Sequence, residues 1–257
     1  MKLAVLLSAG HPFPEAALNQ AAKLAKTLDL PLTGIISSEQ GLDYYPMGEG
    51  GLIDVMQEKI EQDDKRILDC VKRFQSICRN HDLAQDWHGR HGFIRQEWAI
   101  LSPYFDLVMV PAPFSAPEIA NLGLSATLQI QDDALINGFD QRCVIAWDGS
   151  LPAGRALRAA LPLLPRFEQV DVISVDAKTR SLPTDIGTYL AANGITATIT
   201  SEFSGDDSVA DLILEQARHA DLLVMGAYGG SMMMEKLFGG VTEAVYSTGT
   251  TPVLSAH

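Results

Sequence analysis

Three cysteines in 257 residues, Cys70, Cys78 and Cys143, are too few and too scattered for a disulfide framework. None sits in a C-x-x-C pair, which excludes a zinc ribbon or a dithiol redox motif. Cys70 and Cys78 share roughly one face of a helix but lie about 12 Å apart at about 1.5 Å per residue, too far to bridge. Burial accounts for them, and the count suits a reducing compartment. Positive charge is scarce too: 19 Lys and Arg stand against 32 Asp and Glu, a net charge of −13. Both halves of the chain are acidic, so neither offers the basic stripe that nucleic-acid binding requires. Long apolar runs are missing. The first, Leu3 to Leu7, is shorter than the roughly 7–15 residues of a signal-peptide core or the roughly 20 of a membrane span. It reads as a strand of a cytoplasmic protein with no membrane segment. His88 and His91 have no Cys or third His nearby in sequence, and a catalytic zinc needs three protein ligands, so no metal site is expected. Ser150 lacks the G-x-S-x-G elbow of a hydrolase nucleophile, and no Walker-type Lys is present.

What is present is a strand–helix alternation. Short apolar runs at 2–8, 31–37 and 106–112 read as strands, with a weaker one at 83–88. Between them, 14–28, 52–81 and 93–104 carry apolar residues at helical spacing; residues 58–72 form a charged, solvated face with Glu61 and Lys65 at i,i+4. Such alternation predicts parallel βαβ units with right-handed crossovers. The pattern then restarts. Strands are expected at 142–150, 170–177, 195–203, 220–229 and 251–256, with helices at 153–164, 183–193, 207–219 and 241–247. FDLVMVPAP (105–113) and ADLLVMGAY (220–228) are nearly superposable, each preceding a loop and helix. The chain therefore reads as an internal duplication, 1–140 and 141–257. The short connector around residues 138–141 predicts that the halves pack as a pseudo-dimer.

One stretch carries chemistry. GAYGGSMMMEKLFGGVTEAV (226–245) follows a buried-type strand and opens a helix. Glycines let a backbone approach an anion, and free N–H groups at a helix start bind phosphate. In an open α/β sheet the ligand sits beyond the carboxyl ends of the strands. Gly226 at a strand end and residues 239–242 at the expected helix start would flank a phosphate-sized hollow. Asp148 ends the strand before it and offers a carboxylate to a base or ribose; equally, it suits a helix cap or an Asx turn. The strand at 172–175 ends in apolar residues that can pack on a base. Met232, Met233 and Met234 suit packing against a neighbouring helix.

Gly226-x2-Gly229-x9-Gly239 resembles the nucleotide-binding signature of the universal stress protein family: glycine, two residues, glycine, nine residues, glycine, then Ser or Thr. Asp148 in VIAWDGS matches the aspartate after that family's first strand, and GGVTEAV followed by TTPVL resembles its closing helix and strand. The resemblance spans the chain as a tandem pair and is strongest over 142–257. It implies an α/β fold of two tandem open five-stranded parallel-sheet domains flanked by helices, Rossmann-like and similar to the adenine nucleotide alpha-hydrolases. It also implies binding of ATP, ADP or AMP, with Mg on the phosphates. By matching position, Asp148 would meet the adenosine end and Val175 would line the adenine pocket. Gly226, Gly229, Gly239, Gly240, Val241 and Thr242 would wrap the phosphates.

Two departures bear on that expectation. Gly240 stands where the signature has Ser or Thr, and Lys236 is the only cation in the segment, so triphosphate binding should be weaker and a monophosphate suits the site as well. In the first half, Pro111 and Pro113 stand where glycines are wanted; proline has no N–H to give to phosphate, so this half is expected to be a scaffold or partner surface. Three functions stay open. The second half is a stress-response module whose nucleotide occupancy alters association with protein partners, with the tandem chain able to form a homodimer. Alternatively it is a slow ATP hydrolase at the same pocket, or a ligand-free interaction scaffold.

Overall fold

A computed structural model describes residues 1–38, 52–112, 114–130, 139–175, 185–204, 208–227, 235–248 and 250–257. Among them run ten strands and eight α-helices in strict alternation through most of the chain. The first half contains β1 (Leu3–Ser8), α1 (Glu15–Thr27), β2 (Leu32–Ser37), α2 (Leu52–Asn80), β3 (Gln85–Arg90), α3 (Ile94–Leu101), β4 (Leu107–Pro111), α4 (Ala116–Ala120) and β5 (Ala126–Ile130). The second contains β6 (Arg142–Ala146), α5 (Leu151–Ala160), β7 (Gln169–Val175), α6 (Ile186–Ala192), β8 (Thr198–Glu202), α7 (Val209–Ala217), β9 (Leu222–Gly226), α8 (Glu235–Thr248) and β10 (Val253–Ala256).

All ten strands form one sheet in the order β3-β2-β1-β4-β5-β10-β9-β6-β7-β8. Within each half every pairing is parallel. Burial explains why the strands read as they do. The central β1, β2 and β4 are buried at every position and carry continuous apolar runs, as parallel strands covered on both faces must. The outermost β3 and β8 are mostly exposed and mostly polar.

The halves meet edge to edge. β5 and β10 pair antiparallel, with Val253 opposite Gln129, Leu254 opposite Leu128 and Ser255 opposite Thr127. Counted from their parallel neighbours β4 and β9, Leu128 and Leu254 occupy the same position of the repeat, as do Thr127 and Val253. The seam is therefore self-complementary about the Leu128–Leu254 pair, as in an isologous dimer interface. The expected pseudo-dimer is thus one continuous ten-stranded sheet. Helices α1, α2, α5 and α6 cover one face over a single apolar cluster spanning both halves. On the other face α3 and α4 cover one cluster and α7 and α8 another.

The duplication is visible bond by bond at the amino ends of the strands. Asp106 Oδ2 accepts from Lys2 N at 2.6 Å, and Asp106 N donates to Lys2 O at 3.0 Å. In the second half Asp221 Oδ2 accepts from Arg142 N at 3.2 Å, and Asp221 N donates to Arg142 O at 2.8 Å.

Two expectations need correction. The segment 111–131, read as the first half's counterpart of the glycine loop, contains α4 and the fifth strand of that half. The last helix begins at Glu235 rather than at 241. Glu235, Lys236, Leu237 and Phe238 are helix-compatible residues, and an acid in the first turn suits the helix dipole. Gly239 and Gly240 lower the propensity but do not stop a helix that is packed against α7.

All three cysteines are buried and unbridged. Burial pushes the Cys70 thiol up to about 12 and the Cys78 thiol to about 11, and raises Cys143 further. None can serve as a thiolate near neutrality. Among the described residues no helix is long and apolar enough to cross a membrane.

Candidate nucleotide-binding cleft

In the second half the order of strands reverses between β6 and β9: β7 and β8 lie on one side and β10 on the other. Crossover helices accordingly leave on opposite faces at this point, which opens a crevice at the carboxyl ends of the strands. A cleft open to solvent lies there.

The lining follows from strand alternation and helix periodicity. Ala146 and Asp148 come from β6 and the turn after it, Ile173 and Val175 from β7, and Met225 and Gly226 from β9. Successive strand residues point to opposite faces, so Ile145 belongs to the cluster under α5 and α6 while Ala146 faces the α7–α8 cluster. Trp147 also borders the cleft, but its side chain packs on the α5–α6 side. Val209 and Ile213, four apart on α7, and Val241 and Thr242 on α8 close the wall.

Five of the eight expected site residues therefore meet in one cleft: Asp148, Val175, Gly226, Val241 and Thr242. Gly239 and Gly240 lie within α8, not at its start, and Gly240 is exposed. Gly229 lies outside the described residues, as do Pro113, Gly230 and Met232 to Met234. Sequence reasoning did not pick out Ala146, Ile173, Met225, Val209 or Ile213. The i,i+4 spacing of Val209 and Ile213 was the available signal for α7.

Several polar groups at the mouth have internal partners among the described residues. Asp148 is exposed and its Oδ1 accepts from Ser150 N at 2.9 Å, an Asx turn that brings the chain round through Gly149 at φ +73°. Ser150 then caps α5, its hydroxyl accepting from Ala153 N at 3.2 Å. Trp147 N donates to Ile173 O and Ala227 N to Ala256 O, both at 2.8 Å. In a helix that begins at Glu235, the amides of residues 239–242 are directed to carbonyls four residues earlier. Among the described residues the hollow is thus bounded by committed amides, apolar side chains, one exposed carboxylate and the Thr242 side chain.

Gly226 owes its identity to packing. A Cβ there would lie 2.7 Å from Ala153 N and 3.0 Å from Pro152 Cβ, so only glycine lets the start of α5 close over the end of β9. At Gly240 a Cβ would meet nothing within 4 Å.

The first half carries a degenerate version of this edge. Ser8 holds the place of Asp148, and its hydroxyl accepts from Gly10 N at 3.2 Å in the same i,i+2 turn. Pro111 stands at the position of Gly226. At the start of the short α4, Ala116 N donates to Gln129 Oε1 at 3.2 Å. His91 Nε2 lies 2.9 Å from Asp64 Oδ1, and among the described residues no group of three or more His, Cys, Asp or Glu is disposed to hold a metal.

Comparison with known proteins agrees with this fold. Residues 176–257 match the model of the universal stress protein family. No curated protein matches the chain. The crystal structure of a universal stress protein from Archaeoglobus fulgidus superposes with a TM-score of 0.67 at 18% identity, covering 98% of this chain and 94% of that one. A functionally unknown protein from Pseudomonas aeruginosa superposes with a TM-score of 0.55 at 15% identity, covering 99% and 92%. The match to the universal stress protein family is thus carried by residues 176–257, and the whole chain has the doubled α/β fold of the solved universal stress protein that it resembles.

Proposed function

We propose that the second half, residues 141–257, binds an adenine nucleotide in this cleft and that occupancy alters association with protein partners. The observation that carries the reading is the convergence of Asp148, Val175, Gly226, Val241 and Thr242 on one cleft at the reversal of strand order. Val175, Ile173 and Met225 supply an apolar bed for a purine, and Asp148 an acceptor for ribose hydroxyls or a base amine. Gly229, Gly239 and Gly240 complete the proposed set on the phosphate side, with Mg carried by the nucleotide rather than by protein ligands. Slow ATP hydrolysis at the same place has no general base or cation among the described lining residues to support it. The proposed setting is the cytoplasm, with the tandem chain alone or as a homodimer and with neither nucleic acid nor membrane as partner. The test is isothermal titration with AMP, ADP and ATP, each with and without magnesium. Heat at micromolar to millimolar ligand is expected; silence for all three at millimolar concentration overturns the proposal. A ligand-free scaffold is the second reading, favoured by the internal commitment of the amides around the mouth.

A further inference from the structure

We propose that two copies of this chain associate through β3, the strands running antiparallel about a two-fold axis at His88. The proposal is independent of the nucleotide reading and concerns an outer edge that the seam between the halves leaves unpaired. Backbone direction is the first ground. Leu32 N donates to Ala84 O at 3.1 Å and Ser38 N to Arg90 O at 3.3 Å, so the even-numbered residues of β3 turn to β2. Gln85, Trp87 and Gly89 therefore hold their N–H and C=O groups at the outer edge. Among the described residues the one bond to these groups is local, from Trp87 N to Asp86 Oδ1 at 2.8 Å. Such a row of backbone groups is a template for another strand.

The side chains supply the second ground. Asp86-Trp87-His88-Gly89-Arg90 is complementary to its own reverse. In an antiparallel pair centred on His88, Trp87 and Gly89 of opposite copies form hydrogen-bonded pairs, which is what their outward backbone groups require. Asp86 meets the other copy's Arg90, and His88 meets itself, at the close non-hydrogen-bonded positions. The faces agree as well. Asp86, His88 and Arg90 are exposed and alternate onto one face. On the other, Trp87 is 38% exposed, and a Cβ at Gly89 would lie 2.9 Å from Trp87 Cζ3, so glycine is what leaves room for an indole. Arg90 Nε lies 3.4 Å from Glu97 Oε2, and the guanidinium has further N–H groups for a second carboxylate.

Charge selects the register and the edge. Two chains of net charge −13 repel, so their contact must bring opposite charges together. Centred on Trp87 or Gly89 instead, the two Asp86–Arg90 pairs are lost. The sheet's other outer strand, β8, has no cation to match Glu202. Association through β3 alone closes as a dimer rather than extending as a filament.

The experiment is sedimentation velocity of the full chain from about 1 µM to about 1 mM, because a six-residue edge buries less than a standard interface of about 1,600 Å². A reversible dimer is expected. The Arg90 side chain is 70% exposed, so Arg90→Asp should fold; it sets carboxylate against carboxylate in both pairs and should weaken the dimer about ten-fold or more. Asp86→Arg should do the same with cations, and the double variant should return the affinity to within about three-fold of the original. His88→Cys should cross-link to itself on mild oxidation, the native cysteines being buried. Thr200→Lys, a charge placed in β8, should change nothing. A monomer throughout, no rescue by the double variant, no cross-link at position 88, or dissociation by Thr200→Lys overturns the proposal. Each of these outcomes leaves the nucleotide reading standing, which titration with nucleotide tests separately.

Discussion

The two halves of this chain keep one edge of the sheet the same and let the other diverge. At the amino ends Asp106 and Asp221 make matching bonds to the backbone of the neighbouring strand. At the carboxyl ends Ser8 stands opposite Asp148, Pro111 opposite Gly226, and the five-residue α4 opposite the fourteen-residue α8. Retention of one edge costs nothing in function, because those bonds only register strands. Divergence at the other edge removes the carboxylate, the close helix approach and the long helix that together shape a cleft. The difference shows that the fold constrains its core and its seam, while the switch-point edge is free to shape a cleft in one copy and not in the other.

The strongest way to break that comparison is at the seam. Leu128 and Leu254 are both fully buried, occupy the same repeat position and face each other across the pseudo-two-fold. If the join is symmetric in energy as in geometry, Leu128→Ala and Leu254→Ala should each cost about 3 kcal/mol. Urea unfolding followed by circular dichroism measures both. Costs differing by more than about 1 kcal/mol would show that the halves relax differently around equivalent cavities. A single transition is expected, because the cluster under α1, α2, α5 and α6 runs through both halves.

A smaller effect separates Gly226 from Pro111. Gly226→Ala drives a methyl against the Ala153 backbone nitrogen at 2.7 Å, so α5 must shift; about 2 kcal/mol is expected, with loss of ligand binding. Pro111→Ala in the first half should cost no more than about 1 kcal/mol and leave binding untouched. Equal costs would mean that Gly226 is mere loop punctuation.

Much of this was legible in the sequence. Buried parallel strands announce themselves as apolar runs, and the FDLVMV and ADLLVM repeats placed β4 and β9 in the same role. The Gly226, Asp148 and Val175 positions came from spacing and resemblance, and they meet in one cleft. What stayed hidden has physical causes. Gly239 and Gly240 looked like a helix start because glycine is a poor helix former, yet packing on α7 carries α8 through them. The strand at Ala126–Ile130 was masked by its alignment with a glycine loop. The seam register depends on which edges meet, a tertiary fact that local periodicity does not encode.

Asp148 and Ser8 allow a test at the site itself. Asp148→Asn keeps an oxygen to accept from Ser150 N, so the turn and α5 cap should persist while the charge is lost. Adenine-nucleotide affinity should fall about ten-fold, equivalent to about 1.4 kcal/mol. Ser8→Ala should leave binding unaffected. An unchanged affinity would argue that Asp148 only shapes the turn.

The smallest effect concerns how the cleft and the seam share one helix. α8 supplies Val241 and Thr242 to the cleft, and one turn later its Tyr246 packs against the α7–α8 cluster and the α3–α4 cluster together. The Tyr246 hydroxyl donates to Ser255 Oγ at 2.7 Å, and Ser255 Oγ lies 3.0 Å from Thr127 Oγ1 across the seam. Thr127 and Ser255 are fully buried, so this chain of hydroxyls is shielded from water. Tyr246→Phe keeps the ring packing and removes one donor, which should cost about 1 kcal/mol. Ser255 can still bond Thr127, so its own loss should be partial and the seam register should hold. The first half has Ala120 in the short α4 and nothing of tyrosine's reach there, so the bond joins the halves from one side only. A Tyr246→Phe cost above about 3 kcal/mol would mean that this one-sided hydroxyl chain, rather than the symmetric leucine pair, holds the halves together.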